Sequence, residues 1–209
     1  MTRRVPSLAA LRGAVAAGIA VVTLLGGCAA GPTTRFHTLM PAAGTAGPQV
    51  APAGALAWEV LPVNIPAQVD QPQWVVRAAD GSLAVLEQER WIAPLAEEFR
   101  GAVTDRLTQI LGAPAASAEP GKRWRVRIDV QRFESSPGRE ARLEATWTVN
   151  SLSETAISLR CRDEFVATAT SGDYLALAKA HQQGVAKLAD DIGSALKALS
   201  AGQVASCRG

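Results

Sequence analysis

The stretch from Trp124 to Phe165 constrains the fold most, because its apolar residues recur at every second position. Trp124, Val126, Ile128 and Val130 alternate with Arg125, Arg127, Asp129 and Gln131. Leu143, Ala145, Trp147 and Val149 alternate with Arg142, Glu144, Thr146 and Thr148, and Ile157, Leu159, Cys161 and Phe165 share one face. A period of two gathers the apolar side chains on one side of each strand. Such clean alternation predicts antiparallel strands with one buried and one wet face. Pro137-Gly138 supplies a turn inside the run.

The greasy face of that sheet needs a cover, and two helical stretches supply it. Between Pro94 and Leu111, the residues Leu95, Phe99, Ala102, Val103, Leu107 and Ile110 keep an i, i+3, i+4 stripe. Pro94 suits a helix start, and Gly112 suits the left-handed position after its end. The second helix runs from about Asp173 to Leu199, with His181, Val185, Leu188, Ile192, Leu196 and Leu199 as its stripe. Shorter strands precede these elements: Arg35 to Met40, Leu56 to Val63, and Gln73 to Ala78 with Ser82 to Glu87 around an Asp80-Gly81 turn. Pro62 limits the second of these strands to an edge, an end or a bulge. The expected fold is α/β of the α+β kind. It is a two-layer sandwich with one mixed, largely antiparallel sheet and two long helices on one face.

The first residues have a different purpose. Arg3, Arg4 and Arg12 form a positive region, Gly13 to Leu25 is uncharged and mostly apolar, and Leu25-Gly26-Gly27-Cys28 follows. This is the layout of a secretory signal peptide, and its end resembles a bacterial lipobox. That resemblance implies cleavage before Cys28 and attachment of lipid to its sulfur. A plain cleaved signal and a membrane-spanning helix are the other readings. A span needs ~20 apolar residues, and Gly26, Gly27, Gly31 and Pro32 interrupt the run too early. The expected organisation is a lipoprotein signal peptide over 1–27, a lipidated tether over 28–34 and one domain over 35–209. By resemblance to enterobacterial sorting rules, Ala29 rather than Asp after the cysteine implies the outer membrane. The six residues from Ala29 to Thr34 reach at most ~20 Å.

Removing the three leader arginines turns a formal charge of +2 into −1. A nearly neutral chain argues against nucleic acid as partner. Cys161 and Cys207 remain in a compartment where disulfides persist. Either they bridge, pinning the tail to the sheet, or both stay as thiols.

No residues present themselves for catalysis, for a metal or for a cofactor. His37 and His181 stand outside metal-binding spacings, and no G-x-S-x-G or phosphate loop occurs. Glu97-Glu98 and Asp190-Asp191 are helical neighbours that do not face one another, which predicts solvated faces. On the outward face of the meander lie Arg123, Arg125, Arg127, Arg142, Arg160 and Arg162, offset by Asp129, Glu144 and Glu164. This is either a face of cross-strand ion pairs or a docking face. The hairpin between Ile65 and Leu95 is apolar on both sides and bracketed by Trp74 and Trp91. Either both faces are buried, or one is an interface.

The order of motifs resembles a known family. After the lipobox come F-H-T-L at Phe36, L-P-V-N-I-P from Leu61, V-D-Q-P-Q-W-V from Val69, the Asp80-Gly81 hairpin, and E-R-W-I-A-P-L from Glu89. The chain is similar over nearly its whole mature length to the ABC-type transport auxiliary lipoproteins, a group that includes paraquat-inducible protein C. The resemblance implies a non-catalytic role in moving lipid between the membranes of a Gram-negative envelope. It implies an MCE-domain protein and ABC transporter components as partners, with self-association beside them. The alternative is a scaffolding lipoprotein of another envelope complex, without lipid cargo. By matching position, Asp70, Pro72, Gln73, Trp91 and Pro94 carry the family pattern, and with Trp74 they form the expected partner surface. Gln71 stands where the pattern has a basic residue, and Gly184 interrupts the last helix.

Overall fold

A computed structural model describes residues 31, 33–41, 56–115, 123–153 and 157–207. The leader and Cys28 lie outside the described residues. In chain order the elements are β1 (Arg35–His37), β2 (Ala57–Val60), β3 (Gln73–Arg77), β4 (Leu83–Trp91), α1 (Leu95–Leu111), β5 (Arg123–Ser136), β6 (Glu140–Ser151), β7 (Ser158–Thr168) and α2 (Tyr174–Ser200). The fold is α+β, with two long helices and mixed, largely antiparallel sheets.

The patterning suggests one sheet; the backbone makes two. β2-β5-β6-β7 form a four-stranded sheet and β1-β4-β3 a three-stranded one. The reason lies in where β2 stops. It runs parallel to β5 from Ala57↔Arg123 to Val60↔Val126, and Pro62 and Pro66 follow. Proline breaks the ladder, so the second half of β5 has no strand on that side beyond a lone bridge at Asn64↔Asp129. β3 lies beside that half, joined through side chains. The Trp74 indole N–H donates to Ser135 Oγ at 2.8 Å, and Arg77 pairs with Glu134.

The inner face of the meander is closed by the predicted residues. Val126, Ile128, Ala145 and Val149 are fully buried, and Leu143 and Trp147 nearly so. α2 packs on β5, β6 and β7, whereas α1 packs on β2 and on α2. Full burial of each large apolar side chain stabilises by about 1.5–3 kcal/mol. The helix ends follow from local chemistry. Asp173 accepts the Leu175 amide at 3.1 Å and so caps α2. Gly112 takes a φ of 81° after α1, a conformation costly for residues with a Cβ. Gly184 does not interrupt α2; it is buried at mid-helix against Leu143 and Phe165.

Candidate functional site

The small sheet and the helix start behind it hold the residues of the expected partner surface. Its hairpin turns at Asp80-Gly81. Asp80 Oδ1 accepts the Ser82 amide at 2.9 Å and its hydroxyl at 2.7 Å, and Gly81 takes a φ of 88°. Pairing begins in register, with Val75↔Val85 and Trp74↔Leu86, but Gln73 then pairs with Arg90. The extra residues on β4 form a bulge, and a bulge re-aims the side chains beyond it. Ala84 and Leu86 therefore point inward before it, and Glu89 and Trp91 point inward after it. Apolar residues on both faces of this hairpin in sequence become one filled inner face and one outer face on which Val85 is exposed while Val75, opposite it, is buried.

The inner face is an aromatic cluster. Trp74 and Trp91 lie with ring centroids 4.5 Å apart, and His37 meets Trp74 edge-on at 4.8 Å. Phe133 of β5 stacks on His181 of α2 at 4.0 Å. Trp74 and Trp91 are only 1% and 3% exposed. This corrects the partner-surface expectation for both tryptophans: they fill the seam between the small sheet, β5 and α2. Asp70, Pro72 and Pro94 are exposed and Gln73 half-buried, so the surface around the cluster belongs to these smaller residues.

Three polar groups are threaded through the cluster. Trp74 donates to Ser135 Oγ, which lies 2.7 Å from His181 Nε2. Burial pushes the His181 pKa down to about 3, so its ring is neutral at pH 7. With its proton on Nδ1, the neutral ring accepts a hydrogen bond from the Ser135 hydroxyl at Nε2, and all three atoms are satisfied. Serine beside histidine has the spacing of a nucleophile and base. Here, however, the serine is 1% exposed and burial lowers the proton affinity of the base. The pair holds Trp74 in place. Nearby, buried Glu89 accepts Arg35 Nε at 2.8 Å and lies 2.6 Å from His37 Nε2. Glu98 is not on a solvated face as the sequence suggests. It is 8% exposed and accepts the Thr38 hydroxyl at 2.6 Å and the Leu39 amide at 2.8 Å. Gln182 donates to the Thr38 and Met40 carbonyls, so the segment after β1 is held by both helices.

The outer face carries what the inner face does not. Phe36 and Ile92 are each 59% exposed, and Leu83 and Val85 are exposed nearer the hairpin turn. Sequence reading missed Phe36 and Ile92, because a three-residue strand and a bulge give no period from which to read a face. On the large sheet three of the six arginines named above are ion-paired: Arg125 with Glu59 at 2.5 Å, Arg142 with Glu140 at 3.0 Å and Arg162 with Glu144 at 3.2 Å. Exposed pairs of this kind contribute little each. Cys161 of β7 and Cys207 of the tail form a disulfide, with Cα atoms 5.4 Å apart.

A family model described as ABC-type transport auxiliary lipoprotein component matches residues 37–193. The chain belongs to that family. The match starts at β1, ends inside α2 and takes in the whole aromatic cluster. No curated protein matches this family member significantly. Among solved structures, an uncharacterized protein is similar with a TM-score of 0.62 at 16% identity, over 78% of this chain and 97% of its own. A protein from Xanthomonas campestris is similar with a TM-score of 0.55 at 22% identity, over 81% of this chain and 97% of its own. At these identities the likeness is one of fold.

Proposed function

We propose that the protein is a non-catalytic lipoprotein subunit of an ABC/MCE-type system that moves lipid between membranes. It hangs by acyl chains on Cys28 from the outer membrane and faces the periplasm. The observation that carries this reading is the auxiliary-lipoprotein match over residues 37–193, directly behind a lipobox. The buried, proton-poor state of the Ser135–His181 pair supports a role carried by surfaces rather than by reaction. The Cys161–Cys207 disulfide suits an oxidising compartment. An MCE-domain protein and ABC transporter components are the partners, with a second copy of the chain beside them.

Tagged full-length protein, isolated from crosslinked envelopes, tests the partnership. An MCE-domain protein and an ABC transporter should co-purify; recovery of another envelope complex alone would favour a scaffold without lipid cargo. Growth with labelled palmitate tests the anchor. Wild type should take up label and Cys28→Ser should not.

A further inference from the structure

The exposed outer face of the small sheet sits where the tether enters the fold. Phe36 pairs in register with Arg90, and the Ile92 amide donates to the His37 carbonyl at 2.9 Å, so Phe36 and Ile92 crown adjacent strands. Both side chains are 59% exposed although the fold holds their backbones firmly. Leu83 and Val85 are exposed farther along β4, on the hairpin side of the bulge. A cationic group lies beside Phe36 and Ile92. Arg90, the register partner of Phe36 and two residues before Ile92, is paired loosely with Glu87 at 3.6 Å. Apolar side chains beside a guanidinium group match the boundary between acyl chains and phosphate headgroups.

Chain length selects the occupant. Phe36 follows Cys28 by eight residues, which reach at most ~28 Å when fully extended. An anchor this short keeps β1 near whatever surface holds the acyl chains, and a tethered second contact gains from high effective concentration. We infer that Phe36 and Ile92, with Arg90 beside them, dock the domain onto the phospholipid surface in which Cys28 is anchored. The tether then sets distance and this face sets orientation. The inference rests on the lipid anchor proposed above.

The test uses the full lipidated protein in cells and in phosphatidylethanolamine/phosphatidylglycerol vesicles. A photoreactive p-benzoylphenylalanine is placed at Phe36, at Ile92 or at Leu152. Leu152 is 40% exposed but lies at the far end of β5, where its amide bonds the Arg123 carbonyl. Thermal melts check that each variant folds. Phospholipid adducts should form at Phe36 and Ile92 at least fivefold more than at Leu152. Adducts to a second copy or to another protein at those positions, or equal lipid adducts at all three, would overturn the docking face. Labelled palmitate is followed in the same preparations. Label without lipid adducts refutes the docking face alone; absence of label refutes the anchor, and the docking with it.

Discussion

The two sheets are stabilised by different means. The four-stranded sheet rests on long antiparallel ladders, β5 with β6 and β6 with β7, whose inner faces fill by simple alternation. The three-stranded sheet has a three-residue strand, a five-residue strand and a bulged one. Its cohesion comes from a few large side chains, Trp74 and Trp91 above all, and from polar links to neighbouring elements. Stability in the first is distributed over many backbone pairs. In the second it is concentrated, so single substitutions should tell the two apart.

Trp74→Ala is the strongest attempt to break the comparison. Truncating a buried tryptophan costs about 3–5 kcal/mol. Amides of β1, β3 and β4 should lose hydrogen-exchange protection while Val126, Ile128 and Val149 keep theirs. Equal loss throughout would mean that the two sheets unfold as one unit. Next in size is the disulfide, which closes a separation of 46 residues on the meander side. Cys161→Ser with Cys207→Ser should lower stability by about 2–4 kcal/mol in urea melts, with the tail and β7 loosening first.

His181 reports on the seam between the two regions. Its folded pKa of about 3 lies below the unfolded value near 6.5. The unfolded chain therefore binds the extra proton between these values. The associated stability is fully present above pH ~6.5 and is lost as pH falls toward 3. From pH 7 to 5 the wild type should lose about 2 kcal/mol more than His181→Gln. Equal pH dependence would show that the ring is not sealed by the seam. The smallest effect separates two helix glycines. A Cβ at Gly184 would lie 3.8 Å from Leu143 and Phe165, an ordinary contact. Gly184→Ala should add about 0.5–1 kcal/mol from helix propensity. At Gly193 the Cβ would come within 3.3 Å of Ile110, so Ala there should gain less in the same melts.

The same contrast explains what was legible in the sequence. Trp124 to Phe165 announces its strands and their faces, because long ladders keep a strict period. The stripes Leu95 to Ile110 and His181 to Leu199 announce the helices. The split into two sheets was hidden, since strand partners are set by spatial pairing and the bulge in β4 carries no glycine or proline. The double-sided apolarity around Trp74 was visible, but assigning the tryptophans inward and Phe36 and Ile92 outward needed the register. Trp74, Ser135 and His181 come from three distant segments, and no spacing could have joined them. Glu98 beside Glu97 looked like one solvated pair because its partners, Thr38 and Leu39, lie about sixty residues earlier.

The two parallel pairings bear on how such a chain can be delivered. β1 meets its partner 54 residues later and β2 meets its partner 66 residues later. A chain that emerges N-terminus first cannot pair β1 until β4 is out, nor β2 until β5 is out. Contacts so far apart in sequence also form slowly. The disulfide waits for Cys207, 46 residues after Cys161. The topology therefore makes closure of each sheet wait on a strand far downstream of its first one.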